Sequence, residues 1–252
     1  MKYFTLGLMM ICVTLVYPSH TPAQNDNENI VKVLDLVNDP ATELPATFQH
    51  ILPSKERSYT NFSIENNESG PYLRALSSGT SSWLEMDLGD ISLTEYSIME
   101  WQWLVNQFPK TDWEEKKSND DYAIRIELVY DLKGSKWNIL NIIRKGLLKS
   151  LFGKYPPELV VSYVWSLNVP VDISFVSPNA KNTIIIPVES GKAMMGRWVS
   201  ERRNIQEDFE KLWQGSETLY LKKIRIKADT ESLPSVAESG LKYLRLTTDS
   251  GE

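Results

Sequence analysis

The sequence alternates apolar and polar residues in many short runs, which clusters of Gly, Pro, Ser and Asn separate. Successive side chains of a strand point to opposite faces, so alternation predicts a strand with one buried face. The clearest run is Tyr122 to Leu132. Further runs cover Ile30 to Val37, Tyr72 to Ala75, Ser82 to Leu88, Tyr96 to Val105, Leu159 to Leu167, Thr183 to Glu189, Leu219 to Ala228 and Leu241 to Thr247. Many short strands with turn signals between them predict a mainly β fold, an antiparallel β-sandwich or jelly roll.

Two segments have helical spacing instead. The first places Leu140, Ile143, Leu147 and Leu151 on one face and ends at Gly153, which predicts a helical insertion at about 137–153. The second predicts a helix at about 204–214. Asn204 can cap this helix and Glu207 follows three residues later, which is a capping-box spacing. We therefore predict a single β-sandwich domain over residues 24–252 with two helical insertions.

The first 23 residues are typical of a secretory signal peptide. Lys2 is followed by the uncharged apolar run Tyr3 to Val16, Pro18 breaks the run, and Thr21-Pro22-Ala23 provides a small-residue cleavage site. This pattern predicts that residues 1–23 are removed and that the protein is periplasmic or secreted.

Removal of that segment leaves no cysteine and one histidine for catalysis or metal binding. Cys12 is the only cysteine, and His20 is one of two histidines, so the remaining chain keeps only His50. Disulfides, cysteine nucleophiles and thiolate zinc sites are excluded in it. We expect His50 to be a surface histidine in a loop. The formal net charge of −6 makes the chain a poor candidate for sequence-independent nucleic-acid binding.

Several short motifs follow one another in a specific order. They are Trp101-Gln102-Trp103, Asp120-Asp121-x-x-x-Arg125, Phe152-Gly153-x-x-Pro156-Pro157, Tyr163-Val164-Trp165, Glu189-Ser190-Gly191, Gly196-Arg197-Trp198 and Arg203-Asn204-Ile205 with Asp208-Phe209. From about Phe48 to Leu246, their order and spacing resemble the bacterial domain-of-unknown-function family 3047. The resemblance implies a secreted single-domain protein and implies no activity.

Four aromatic residues share strand faces in pairs. Trp101 lies on one face with Trp103, and Tyr163 lies on one face with Trp165. Such faces could be stacking platforms, because sugar rings have apolar faces that lie on indoles. The alternative is that they are core faces of central strands, since tryptophan is well buried on average.

A second group of candidates consists of charges near one predicted strand: Asp120, Asp121, Arg125 and Glu127. An arginine held by acids can bind hydroxyls, carboxylates or phosphates. The alternative is an ion-pair network that holds the two sheets together. Asp120 could also contribute to a Ca²⁺ site with loop carbonyls, although no spaced run of acids supports it. We otherwise predict no metal and no cofactor.

A third group precedes the second helix and contains Trp198, Arg202, Arg203 and Asp208. Arginines at the start of a helix favour an anionic ligand there, because the helix N-terminus also attracts anions. The alternative is that these arginines pair with neighbouring acids.

A fourth candidate is the predicted first helix, which carries five basic residues: Lys136, Arg144, Lys145, Lys149 and Lys154. These residues could contact an anionic membrane. The alternative is that the apolar face of the helix docks on the sheet and the basic residues remain solvated.

These patterns favour non-catalytic binding of a glycan or another polar envelope component. Trp101, Trp103 and Trp165 would supply the stacking surface, and Asp121, Arg125 and Glu127 would supply polar contacts. One alternative is a glycan-active hydrolase or lyase, which needs two carboxylates facing each other across a groove; its candidate acids are Asp120, Asp121, Glu127 and Asp208. Another is an envelope interaction protein that docks through the basic helix. The sequence leaves enzymatic activity and oligomeric state open.

Overall fold

A computed structural model describes residues 30–53, 58–110, 120–131, 158–213, 220–232 and 235–249 of the 252-residue chain. These residues form thirteen strands and one helix. The strands are β1 (Ile30–Asp35), β2 (Gln49–Ile51), β3 (Asn61–Asn67), β4 (Gly70–Ser78), β5 (Ser81–Ser92), β6 (Ile98–Gln107), β7 (Arg125–Asp131), β8 (Glu158–Ser166), β9 (Phe175–Val176), β10 (Thr183–Ser190), β11 (Val199–Asn204), β12 (Tyr220–Asp229) and β13 (Val236–Thr247). The helix is α1 (Ile205–Trp213).

The strands form two sheets. Sheet A has the order β11-β6-β13-β4-β3, with β1 also paired to β13, and sheet B has the order β2-β5-β12-β7-β8-β10-β9. The predicted mainly β fold with antiparallel sheets is confirmed. One pair departs from it: β10 runs parallel to β8. Parallel neighbours need a crossover between them, and here residues 167–182, which include the short strand β9, connect the two strands.

One hydrophobic core takes residues from the inner faces of both sheets. The alternation predicted for the clearest strand holds in β7 and just before it, where four inward-facing side chains are at most 1% exposed: Ile124, Ile126, Leu128 and Tyr130. Tyr122 was predicted on the same face but lies in a separate small cluster with Val164 and Ile185. The reason is that the regular strand begins at Arg125, so the alternation reaches back to Ile124 but not to Tyr122.

Helix α1 begins and ends within one residue of the predicted bounds. The Asn204 side chain accepts a hydrogen bond from the Glu207 backbone N–H at 3.0 Å and donates one to the Glu207 carboxylate at 3.0 Å. The first bond is the predicted N-cap contact, and Asn204 and Glu207 pair at the predicted spacing. The second bond differs from a capping box, because the glutamate accepts from the Asn204 side chain and not from its backbone N–H. Phe209 anchors the helix on the core, with its ring 4.9 Å from that of Tyr130. The described residues contain this one helix where we predicted two insertions, and the predicted segment 137–153 lies outside them.

Edge strand β11 was missed by the sequence analysis, yet it positions the site. Its sequence, VSERRN, carries charges on both faces, as edge strands commonly do. It pairs with β6 so that Glu201 lies beside Trp101 and Arg203 beside Met99.

His50, predicted in a loop, lies in the short edge strand β2, and its Nε2 is 2.9 Å from Ser82 Oγ. Within the described ranges, no helix has the length and hydropathy to span a membrane.

Candidate functional site

The four aromatic residues proposed as stacking platforms are internal. Trp101, Trp103 and Tyr163 are 0% exposed and Trp165 is 1% exposed. Trp101 packs edge-on against Trp103, and these two indoles contact Tyr163 and Trp165 of the opposite sheet, with ring centroids 5.4–6.0 Å apart. The expectation of a water-facing aromatic groove is therefore wrong for these four residues. Their shared faces are the core faces of β6 and β8, and they hold the two sheets together.

The charged group around Arg125 is also internal. The Arg125 side chain is 3% exposed and forms ion pairs with Asp120, Asp229 and Glu127, at 3.4 Å to Asp120 and 3.9 Å to Glu127. Its guanidinium lies 5.0 Å from the centre of the Tyr122 ring. Burial by itself raises the pKa of Asp229, but the adjacent Arg125 charge outweighs it and holds that pKa below its ordinary value.

The pairing differs from the one expected from an extended strand. Asp120 is near Arg125 because residues 120–124 are not part of the strand, and the Asp120 carboxylate also accepts a hydrogen bond from Ser177 at 2.8 Å. Asp121, which is 1% exposed, accepts one from the Ser232 backbone at 3.1 Å. Asp229 is the partner that the sequence analysis missed. The structure therefore shows an ion-pair network, as the alternative proposed, but the network links the neighbouring strands β7 and β12 of sheet B and does not join the two sheets.

These contacts also argue against two alternatives that the sequence left open, the hydrolase hypothesis and the Ca²⁺ site at Asp120. The hydrolase hypothesis needs free carboxylates across a groove, but Asp120, Asp121 and Glu127 are each at most 8% exposed and Asp208 is paired with Arg203. Calcium at Asp120 would have to displace Arg125 and Ser177 from its carboxylate. Across the residues described, no group of three or more His, Cys, Asp or Glu side chains could hold a metal ion.

An open cavity of about 400 Å³ lies between β11, α1 and the segment after β8. This volume is within the range of small-ligand sites. The lining residues are Asp172, Ser174, Ile186, Arg202, Arg203, Asn204, Glu207, Asp208, Lys211 and Leu212. Three residues of the third predicted group, Arg202, Arg203 and Asp208, therefore meet at a concave surface.

Arg203 is the central side chain of the cavity wall. Its Nε and Nη2 donate to the two Asp208 oxygens at 3.0 and 2.8 Å, and its Nη1 donates to Asp172 at 2.8 Å. The Tyr163 hydroxyl, which reaches out from the core, donates to Asp208 at 3.1 Å. Burial lowers the pKa of Arg203, but the two carboxylates outweigh burial and raise it, so the guanidinium stays charged. Its side chain is still 21% exposed.

The backbone at Asp172 is unusual. Its φ is 63°, in the left-handed region that few residues other than glycine adopt, although Asp and Asn tolerate it best. The Asp172 N–H donates to the Pro187 carbonyl at 2.9 Å, which ties this turn to β10. Such conformations are enriched at ligand sites. The turn holds the Asp172 carboxylate at Arg203.

The cavity wall is balanced in charge. Three acids (Asp172, Glu207 and Asp208) face three bases (Arg202, Arg203 and Lys211). Lys211 Nζ is 3.5 Å from Glu207 and 3.9 Å from Asp208. Ser174 and Asn204 add neutral polar groups, whereas Ile186 and Leu212 supply apolar surface. The wall thus offers both donors and acceptors and no net charge.

Trp198 lies away from this cavity. It precedes β11 and projects onto the outer face of sheet A, where its Nε1 donates to Ser69 Oγ at 2.9 Å and its ring packs edge-on against Tyr72 at 5.5 Å. The sequence placed Trp198 and Arg203 in one site, but they lie at opposite ends of the strand, roughly 16 Å apart at about 3.3 Å per residue. Trp198 packs on the outer face of sheet A, whereas Arg203 lines the cavity.

The sequence matches the family model described as "Protein of unknown function (DUF3047)" over residues 48–245. The chain belongs to this family, as its motif order suggested. No curated protein matches the sequence.

Solved structures with related architecture include carbohydrate-binding modules of Clostridium thermocellum. The family 30 module of a cellulosomal cellulase aligns with 9% identity and a TM-score of 0.45 over 88% of this chain and 99% of its own. A family 11 module in complex with a β-1,3-1,4-mixed-linked tetrasaccharide aligns with 8% identity and a TM-score of 0.41 over 87% and 96%. A cellulase derived from Cel12A of Rhodothermus marinus aligns with 8% identity and a TM-score of 0.43 over 86% and 100%. At such scores, the similarities carry no argument about function.

Proposed function

We propose that this protein binds a neutral, hydroxyl-rich ligand of the glycan class in the cavity beside α1, without chemical conversion. The observation that supports the proposal is the charge-balanced wall around Arg203, which presents guanidinium donors and carboxylate acceptors side by side. A sugar hydroxyl can donate to a carboxylate and accept from a guanidinium at the same time, so this pairing suits a polyol.

Charge balance favours a neutral ligand over an anion. A site for a phosphate or carboxylate ligand needs a surplus of positive charge, but each base of this wall already has an acidic partner. The apolar groups of Ile186 and Leu212 can contact the C–H groups of a sugar ring. Binding sites commonly combine such apolar surface with a few fixed polar groups.

The polar groups are held in place before a ligand arrives. Arg203 is fixed by three hydrogen bonds to two carboxylates, and Asp208 is fixed in turn by Arg203 and the buried Tyr163. Pre-organisation reduces the entropy lost when a ligand binds. Because Asp208 and Asp172 are engaged in holding Arg203, binding is favoured over carboxylate catalysis.

The first test is a screen of the purified protein against a panel of neutral and acidic oligosaccharides, followed by calorimetry on the neutral ligands that bind. Ser174 is an exposed lining residue, so Ser174→Trp should block the cavity and abolish binding. The matched control is Ser78→Trp at the exposed end of β4. Asp172→Asn keeps a residue that tolerates the left-handed backbone but removes one charge, and we expect about tenfold weaker binding.

The variants separate the possible outcomes. Neutral-glycan binding that Ser174→Trp removes and Ser78→Trp retains supports the assignment to the cavity. Binding that both variants retain places the ligand elsewhere, and the absence of neutral-glycan binding contradicts the proposal.

We also propose that the protein acts outside the cytoplasm, because residues 1–23 have the pattern of a signal peptide. Expression in a bacterial host with fractionation and N-terminal sequencing tests this directly. A periplasmic or secreted product that begins near residue 24 is expected, whereas a cytoplasmic product that retains residue 1 contradicts it.

A further inference from the structure

The outer face of sheet A carries a covered lysine. Lys242 of β13 is only 9% exposed, and its Nζ lies 4.5 Å from the centre of the Trp198 ring. It sits where the pairing of β13 with β6 shifts register, between Leu241 and Tyr243. The indole therefore covers the stem and ammonium of a lysine at an irregular point of the sheet.

This ammonium has no counter-ion among the residues that the structure describes. Within the described part of the chain, Lys242 Nζ forms no ion pair or hydrogen bond, and acids on the same face are taken by other residues: Glu238 by Arg74 at 2.9 Å, and Glu100 by Arg245 at 2.7 Å. Burial lowers the pKa of Lys242, as expected for a cation removed from water. A largely covered lysine without an acidic partner favours a ligand that supplies the negative charge.

Two aromatic rings that meet edge-on, Tyr72 and Trp198, lie close to the sheet beside Lys242. A Cβ atom at Gly240 would lie 2.8 Å from the Tyr72 ring and 3.0 Å from the Trp198 ring, so only glycine lets both rings approach the sheet. Tyr72 and Trp198 are both partly exposed. Beside them, Gln102 donates to Ser200 at 2.9 Å on the same outer face.

We propose that this face is a second binding site, separate from the cavity, for a carboxylate-bearing sugar such as a uronic acid unit of a polysaccharide. The sugar carboxylate pairs with Lys242, and the apolar face of the sugar ring packs on the Trp198 indole, beside Tyr72. The Gln102–Ser200 pair offers hydrogen bonds to the hydroxyls. A single unpaired ammonium beside two aromatic rings matches one carboxylate on one ring.

The probes are oligogalacturonate and its carboxyl-reduced, neutral counterpart, titrated calorimetrically into the purified full chain. We expect oligogalacturonate to bind at least tenfold more tightly than the reduced oligomer. Lys242→Met should remove that difference, and Trp198→Ala should abolish binding of both. Lys181→Met, the same change at an exposed lysine between β9 and β10, should leave binding unchanged.

Two further measurements keep the test independent of the cavity and of folding. Ser174→Trp, which blocks the cavity, should leave oligogalacturonate binding intact, so failure of one site does not decide the other. In the wild-type protein, NMR should show that oligogalacturonate shifts the Lys242 side-chain resonances. Equal affinity for the acidic and reduced oligomers, wild-type affinity in Lys242→Met, or unshifted Lys242 resonances at saturation would each overturn the proposal.

Discussion

Trp103 and Glu201 link the buried core to the edge of sheet A: the indole Nε1 donates a hydrogen bond to the Glu201 carboxylate at 3.3 Å. Burial, together with the charge of Glu189, raises the pKa of Glu201 from an ordinary 4.5 to about 7. The Trp103 bond opposes this shift but does not cancel it. Glu201 is therefore the acid of this edge that titrates near neutral pH.

Stability should fall as pH rises through the range in which Glu201 loses its proton. The folded state binds more protons than the unfolded state between about pH 4.5 and 7, so the stabilisation is complete below that window and is lost above it. Glu201→Gln keeps an acceptor for Trp103 but cannot ionise. We expect the variant to be about 2 kcal/mol more stable than wild type at pH 8 and nearly equal at pH 4.5, by urea unfolding. A matching change in the exposed control Glu95→Gln would contradict this assignment.

Removal of Arg125 should destabilise the fold strongly. Arg125→Met leaves the buried Asp120 carboxylate without its ion-pair partner and leaves Asp229 with Lys227, at 3.1 Å, in place of two cations. Breaking a buried pair in this way costs about 3–5 kcal/mol. Chemical denaturation measures the change. The control is Arg202→Met, whose side chain is 57% exposed and whose loss should cost less than about 1 kcal/mol. Similar losses in both variants would show that the Arg125 cluster is not a structural cross-link.

The tryptophans should divide into structural and exposed groups. Trp101→Ala removes a fully buried indole from the contact between the sheets, and we expect a loss of about 3–5 kcal/mol. Trp198→Ala removes a partly exposed ring from the outer face and should cost less than half as much. Thermal and urea unfolding of the two variants provide the comparison, and a larger loss for Trp198→Ala would contradict the placement of the two rings.

Gly240→Ala tests the close approach of the two outer rings to sheet A. The added Cβ would force Tyr72 and Trp198 to move, which we expect to cost about 1–3 kcal/mol and to change the indole fluorescence. Ser200→Ala on the same face is the control, with a change of about 0.5 kcal/mol or less. Unchanged stability and fluorescence in Gly240→Ala would mean that the rings do not rest on this glycine.

The strands that line the core were predictable because each shows two distinct faces. Alternation identified β5, β6, β7, β8, β10 and β12 close to their observed bounds. Edge strands such as β11 were not predicted, because an edge strand does not need a continuous apolar face. The sequence of β11 therefore lacks the alternation of apolar and polar residues that identifies a core strand. The capping residue Asn204 and its partner Glu207 were predictable because an N-cap contact is local and has a fixed spacing.

The site was harder to predict because its contacts are distant in sequence. Alternation showed that Trp101 and Trp103 share a face, but it could not show that this face points inward. Asp229 lies 104 positions from Arg125, and Asp172 lies 31 positions from Arg203. No local sequence pattern can therefore predict either ion pair. Only the pairing of the strands brings these groups together. Arg203 and Asp208 were found because they lie on one short segment.

Backbone NMR during titration with the best neutral oligosaccharide tests the assignment of the cavity most directly. We expect saturable shifts of the amide signals of residues 172–174 and 202–212, which surround Arg203, with the signals of β6 and β8 unchanged. Saturable binding whose shifts lie outside these two segments, or no binding by any neutral oligosaccharide of the panel, would contradict the proposal that the cavity beside α1 is the ligand site.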